Sequence, residues 1–159
     1  TGRTRTQTPE KILSPTDLVY REYPKDTFFF ISPAKSLSIN YTVNFPRNPI
    51  KSQNFVFRRR AQYPAEILHH RTFGNIEDVD RLHAAGLARG ASLENALVYD
   101  GDQYLNTPRS EDEAVRHKIL DLLGDLYASG YFVQGKIVAY KTSHRTNNCF
   151  ISSLVRNYG

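Results

Sequence analysis

His117 and Asp121 are the residues whose types and spacing most clearly permit chemistry. They stand four positions apart in the segment 111–121, and side chains at i and i+4 lie on one face of a helix. Neutral imidazole and carboxylate both bind zinc, and such a pair can hold one ion. The same spacing also suits a His–Asp surface pair that stabilises a helix by roughly 0.2–0.5 kcal/mol. Two ligands are too few for a complete site, so both interpretations stay open.

A helix from Ser110 to about residue 129 is predicted to carry this pair. Ser110 and Glu113 have the spacing of a capping box, and the acidic first turn suits the positive end of the helix dipole. The apolar residues at 4-3-4 spacing predict a stripe that faces the core: Val115, Ile119, Leu122 and Leu126. The adjoining face is polar and holds His117, Asp121 and Asp125.

A second histidine, His144, follows a predicted central strand and begins the last predicted helix. A junction between a strand and a helix is a common place for a catalytic side chain. A structural or exposed histidine at this position is the alternative.

The order of the remaining elements indicates an α+β fold. Apolar and polar residues alternate between Ser36 and Pro46, which predicts a half-buried strand. Further strands are predicted at 17–23, 27–32, 52–57, 95–99 and 136–140. Helices are predicted at 76–85, capped by Asn75, and at about 144–157. Strands early and helices late are typical of the α+β class.

The composition favours one domain in a reducing compartment. The 159 residues, 40% of them hydrophobic, suffice for one core. The sequence has neither the about 18–20 apolar residues of a membrane span nor a signal-peptide pattern. The single cysteine, Cys149, fits a cytoplasmic location. The polar residues 1–8 are interpreted as a linker or tail, and 9–159 as the domain.

The net charge of +5 fits an anionic partner such as nucleic acid, lipid or a phosphorylated substrate, or serves solubility alone. The basic run 58–60 is interpreted as a solvated strand end rather than a nucleic-acid contact. Aromatic motifs are not interleaved with it, so we expect no nucleic-acid partner.

Four segments in this order resemble one family: 71–74 (Arg-Thr-Phe-Gly), 85–93, 111–127 and 139–148. Residues 115–127 read Val-Arg-His-Lys-x-x-Asp-x-x-Gly-Asp-Leu-Tyr, a pattern specific to the zinc-dependent UDP-3-O-acyl-N-acetylglucosamine deacetylases of lipid A biosynthesis. The chain resembles the second half of that family, over about 53–148.

Members of that family have two similar halves with the active site between them. The resemblance implies a two-layer sandwich, with a mostly antiparallel sheet packed against two helices and a strand–helix–strand insert at about 74–102. It also implies that an N-terminal half, on the same or a separate chain, supplies the third zinc ligand and a glutamate general base. The sequence contains no Glu-His dipeptide, and His69, His70 and His83 are not expected to substitute.

The resemblance implies roles for six residues of the reaction centre. His117 and Asp121 correspond to zinc ligands, Lys118 to a basic residue beside the metal, and Thr72 to a hydroxyl that stabilises the oxyanion. His144 corresponds to the catalytic histidine and Asp125 to its carboxylate neighbour. A nearby anion favours imidazolium, which suits proton donation to the leaving amine.

Substrate contacts are also implied by the resemblance. Phe73 corresponds to an aromatic residue that packs on the sugar, and Lys141 to a residue that faces the UDP pyrophosphate. The insert corresponds to a passage for the acyl chain, lined by Val79, His83, Ala88, Ser92, Leu93 and Val98. Ordinary packing of a strand–helix–strand unit is the alternative for these six.

Two positions depart from the family pattern. Asn75 stands where an aromatic residue is usual, and Ser143 where glycine is usual. Serine is unfavourable at 143 if the backbone there requires a positive φ. The resemblance implies half of a zinc deacetylase that is inactive as an isolated domain. The alternative is a non-catalytic domain of the same fold that binds a nucleotide sugar or an acyl chain, or regulates.

Overall fold

The computed structural model describes residues 11–58, 63–84, 86 and 92–159. The predicted tail at 1–8 lies outside them. The strands are β1 (Lys11–Leu13), β2 (Val19–Tyr23), β3 (Thr27–Ser32), β4 (Leu37–Phe45), β5 (Lys51–Phe57), β6 (Thr72–Asn75), β7 (Ala96–Asp100), β8 (Gln103–Tyr104), β9 (Tyr131–Val133) and β10 (Gly135–Tyr140). The α-helices are α1 (Ile76–Ala84), α2 (Glu113–Ala128) and α3 (His144–Tyr158), and one π-helical turn spans Tyr63–Ile67.

The main sheet has the strand order β2-β3-β10-β4-β5. Neighbouring strands are antiparallel except β10 and β4, which are parallel. Successive side chains of a strand point to opposite faces of the sheet, and one face is buried. In β4 the buried side chains are Ile39, Tyr41 and Val43. The consecutive strands β3 and β4 are therefore not neighbours, because β10 returns from late in the chain and lies between them.

Helices α2 and α3 cover the buried face of this sheet. The predicted stripe of α2 is buried, and α3 contributes Phe150, Ile151 and Leu154. Phe150 stacks on Phe29 of β3 with ring centroids 4.3 Å apart. These residues form one hydrophobic core. The predicted α+β two-layer fold is confirmed.

The insert folds as a small separate sheet of order β6-β7-β8. β6 and β7 are parallel and are joined through α1. The predicted cap is confirmed, since the Asn75 side-chain oxygen accepts a hydrogen bond of 2.9 Å from the backbone N–H of Glu77. β6, α1 and β7 match the predicted strand–helix–strand insert, although the residue pattern alone indicated no strand at β6.

The predicted start of α2 is wrong. The helix begins at Glu113, its N-cap is Asp112, and no side-chain cap hydrogen bond is present. Glu113 is instead buried and paired with Arg71. Of the basic run, Arg58 is exposed directly after β5, and Arg59 and Arg60 lie outside the described residues. No helix in the described part of the chain combines the length and apolar character that a membrane crossing requires.

Candidate active site

His117 and Asp121 meet on α2 as their spacing predicts. The Nε2 atom of His117 lies 3.2 Å from Oδ1 of Asp121, and both side chains are largely buried. Nδ1 of His117 lies 3.0 Å from the carbonyl oxygen of His70. A carbonyl only accepts, so Nδ1 carries a proton, and Nε2 faces Oδ1 of Asp121, to which it donates when protonated and beside which it can bind a cation when neutral. This is the tautomer of a metal-ligating histidine with a backbone carbonyl as its outer partner.

The two donor atoms are spaced as ligands of one ion would be. Two ligands at tetrahedral angles and bond lengths of ~2.0–2.1 Å lie about 3.3 Å apart. Two lone pairs at 3.2 Å also repel each other unless a proton or a cation lies between them. The described residues include no group of three or more His, Cys, Asp or Glu side chains able to hold a metal. The pair thus fits zinc but needs a third ligand.

Lys118 contacts the other oxygen of the same carboxylate. Its Nζ atom lies 2.7 Å from Oδ2 of Asp121. Burial alone would raise the pKa of Asp121, but the hydrogen bond from His117 and the charge of Lys118 outweigh burial and lower that pKa to about 2. Asp121 is therefore ionised at neutral pH and ready to bind a cation.

The backbone before α3 accommodates serine at 143 without strain. Ser143 is extended, with φ −135° and ψ 165°, and forms a capping box with Thr146. Lys141 has the positive φ in this turn, at 56°. The expectation that serine disturbs the placement of His144 therefore does not apply.

His144 lies against Asp125, which is 19 positions earlier in the chain. Its Nδ1 atom is 2.8 Å from Oδ2 of Asp125, and its Nε2 atom is 3.6 Å from Oδ1 of Asp121. Because the carboxylate accepts the Nδ1 proton, Nε2 faces the His117–Asp121 pair. His144 is 63% exposed, so a substrate can reach it. α2 and α3 thus bring five of the predicted residues together: His117, Lys118, Asp121, Asp125 and His144.

Thr72 and Phe73 begin β6, next to the start of α2. Thr72 is exposed. His70, two residues earlier, provides the carbonyl that accepts from His117. Phe73 is half-buried and packs edge-on against Phe45, with ring centroids 5.7 Å apart. The contact of the His70 carbonyl with His117 therefore places the chain just before β6 beside the His117–Asp121 pair.

Lys141 lies in the turn between β10 and α3, three residues before His144. Its Nζ atom is 3.7 Å from Oδ2 of Asp26, and the side chain is half-buried. A weak ion pair of this kind leaves the ammonium able to bind an anion.

The insert residues have mixed surroundings. Val79 is half-buried, Val98 is buried, and Ser92 and Leu93 are exposed. Ala88 and the side chain of His83 lie outside the described residues. The acyl-chain role of these six residues stays a prediction.

A buried ion pair that sequence reasoning missed holds β6 to α2. Arg71 donates from Nε and from its backbone N–H to Oε1 of Glu113 at 2.9 and 3.0 Å, and from Nη2 to Oε2 at 3.1 Å. The backbone N–H of Arg109 donates to the same Oε2 at 2.6 Å. Burial would raise the pKa of Glu113, but these hydrogen bonds and the charge of Arg71 hold it below its ordinary value. The Arg-Thr-Phe-Gly motif was noted, but Glu113 was assigned to a cap.

Comparison with known proteins points to one family. A family model described as UDP-3-O-acyl N-acetylglycosamine deacetylase matches residues 1–156. Among curated relatives, the UDP-3-O-acyl-N-acetylglucosamine deacetylase of Syntrophus aciditrophicus is 38% identical over 133 residues, 82% of this chain and 42% of that protein. The protein of the same name from Synechocystis sp. is 39% identical over 136 residues, which are 84% of this chain and 49% of that protein. The one from Campylobacter hominis is 44% identical over 126 residues, which are 77% of this chain and 43% of that protein. The chain spans about half the length of the curated relatives it matches.

Proposed function

Because the chain belongs to the UDP-3-O-acyl-N-acetylglucosamine deacetylase family, we propose that it is the C-terminal half of a zinc amidohydrolase. Its reaction is removal of the N-acetyl group of UDP-3-O-acyl-N-acetylglucosamine in lipid A biosynthesis, in the cytoplasm. The observation that carries this proposal is the convergence of His117, Asp121, Asp125 and His144 within contacts of 2.8–3.6 Å. An N-terminal half supplies the third ligand and the general base.

His117 and Asp121 are the residues that hold the metal. Zinc, when bound, polarises the amide carbonyl and lowers the pKa of a coordinated water. Lys118 fixes the Asp121 carboxylate through its 2.7 Å contact, so that Oδ1 faces His117. The His70 carbonyl fixes the His117 ring in the same way.

His144 donates the proton that the leaving nitrogen needs. An amide nitrogen departs as an amine only after it is protonated, and a positioned imidazolium supplies that proton. Asp125 accepts from Nδ1 at 2.8 Å, which fixes the orientation of the ring and leaves Nε2 directed at the substrate. The hydroxyl of Thr72 donates to the carbonyl oxygen as negative charge develops there.

Residues outside this centre bind the rest of the substrate. The exposed face of Phe73 packs on the sugar, and the ammonium of Lys141 binds the pyrophosphate. The insert accommodates the acyl chain through the residues predicted above. The half-buried Val79 and the exposed Leu93 offer apolar surface, whereas Val98 is buried.

The test is deacetylation by the assembled enzyme with zinc. We expect His117→Ala to abolish turnover, because it removes one of the few metal ligands. The matched control is His69→Ala, which removes an exposed histidine of the same chain and should leave turnover unchanged. Nucleotide-sugar binding without turnover or a zinc requirement would instead indicate a non-catalytic domain.

A further inference from the structure

We propose that Asn147 is a positioning residue, which fixes the Asp125 carboxylate and through it the ring of His144. Its effect on catalysis rests on the proposed function. Asn147 lies in α3, three residues after His144, and its side chain is fully buried. Residues at i and i+3 share one face of a helix, so Asn147 lies directly beneath the histidine.

The amide of Asn147 and the ring of His144 bind the same carboxylate oxygen. Nδ2 of Asn147 donates to Oδ2 of Asp125 at 2.8 Å. Nδ1 of His144 contacts the same Oδ2 at 2.8 Å. In the described part of the chain, these two residues are the hydrogen-bond partners of the Asp125 side chain. Since His144 is largely exposed, the buried amide is the rigid partner of the two.

A directional chain of buried hydrogen bonds fixes the orientation of that amide. Thr142 donates from Oγ1 to Oδ1 of Asn147 at 2.7 Å. A hydroxyl has one proton, so with Thr142 donating to Asn147, the proton in the 2.6 Å contact with Thr142 Oγ1 is that of the Tyr41 hydroxyl, which also lies 3.1 Å from the Thr142 carbonyl oxygen. Burial raises the pKa of Tyr41, which keeps that proton in place. The amide nitrogen is thereby left to face the carboxylate.

Capping of α3 does not explain this side chain. The cap is supplied by Ser143 and Thr146, and the backbone N–H of Asn147 donates to the Ser143 carbonyl at 2.8 Å. Both hydrogen bonds of the Asn147 side chain leave the helix, one to α2 and one to the turn after β10. The buried hydrogen bonds that run from Thr142 through Asn147 end at Asp125, and we infer that they orient the Asp125–His144 pair.

Kinetics of the full-length enzyme test the proposal. We expect Asn147→Ala to lower kcat roughly 10–100-fold, the range for loss of outer-shell partners, with KM changed less than about twofold because no substrate contact is removed. The matched control is Ser153→Ala, which removes a different buried polar group of α3, a hydroxyl that donates to the Phe150 carbonyl at 2.7 Å. This control should keep the wild-type kcat.

A double-mutant cycle separates positioning from general loss of structure. In an Asp125→Ala enzyme, Asn147→Ala should change kcat by less than about twofold, since the group it positions is already gone. An equal loss of kcat in both backgrounds would overturn the proposal. So would a wild-type kcat in Asn147→Ala.

A structural measurement decides the point without activity. In a crystal structure of the Asn147→Ala protein, the Asp125 carboxylate should be rotated, with Oδ2 beyond about 3.5 Å from His144 Nδ1. An unchanged contact would refute the positioning role.

Asn147→Asp is the second variant, because it keeps the shape and the acceptor for Thr142 but turns an oxygen to Asp125. If neither variant folds, Asn147 belongs to the fold and the proposal fails. If the wild-type enzyme has no turnover, the proposed function falls, and the crystal structure still tests Asn147.

Discussion

Replacing Glu113 with glutamine should lower the free energy of unfolding by about 3 kcal/mol. The carboxylate is 1% exposed and faces Arg71, which is 8% exposed. Removing one partner of a buried pair costs about 3–5 kcal/mol, because the other charge stays buried without compensation. Glutamine keeps one acceptor oxygen, and the Leu93 and Thr107 carbonyls still accept from Arg71 at 3.0 and 2.9 Å. We therefore expect the lower end of that range.

Chemical and thermal unfolding measure this change. For a chain of this size, 1 kcal/mol corresponds to about 2–4 °C in Tm, so Glu113→Gln should lower Tm by about 6–12 °C. The matched control is Glu111→Gln, two residues earlier and exposed, which should change stability by less than about 0.5 kcal/mol. A Glu113→Gln protein within about 1 kcal/mol of wild type would refute the assignment of this ion pair as a main link between β6 and α2.

Further predictions concern acid stability, backbone strain and a core hydroxyl. The lowered pKa of Glu113 contributes stability that is complete above its unfolded pKa of about 4.3 and is lost as pH falls through the folded value; acid titration should therefore be shallower in Glu113→Gln than in wild type. Gly135→Ala should destabilise by about 1–3 kcal/mol in denaturant unfolding, because φ is 153° and a Cβ would lie 2.8 Å from Ile31. Gly124→Ala, where a Cβ meets nothing within 4 Å, should instead stabilise α2 by about 0.5–1 kcal/mol, and a loss of stability there would contradict the open space. Tyr41→Phe should cost about 1–2 kcal/mol by the same measurement, because it leaves Thr142 without its donor.

The sequence predicted elements whose pattern is local. The alternation in β4 and the apolar stripe of α2 each repeat over several residue pairs or turns, so burial can be predicted from the period alone. β6, β8 and β9 are two to four residues long and have too few positions for a period. The place of β10 between β3 and β4 depends on pairing across about 100 residues, which no local pattern contains.

The candidate site likewise contains residues that the sequence predicted and residues that it did not. His117 and Asp121 were found because i, i+4 spacing on a helix fixes their proximity. The pairing of His144 with Asp125 was predicted only through resemblance, since they are 19 positions apart with the strands β9 and β10 between them. Asn147 and the Arg71–Glu113 pair were missed, because a buried polar residue looks like any other polar residue until its partner is known. Glu113 also satisfied a capping pattern by coincidence.

Acetate release from UDP-3-O-acyl-N-acetylglucosamine is the most direct test of the proposal that this chain is the second half of a two-half zinc site. The measurement compares the chain alone, the chain with an N-terminal half, and that assembly with His117→Ala. We predict turnover only in the wild-type assembly with zinc, since His117 and Asp121 are two of the at least three ligands required. Sustained turnover by the chain alone, or an undiminished rate with His117→Ala, would contradict it.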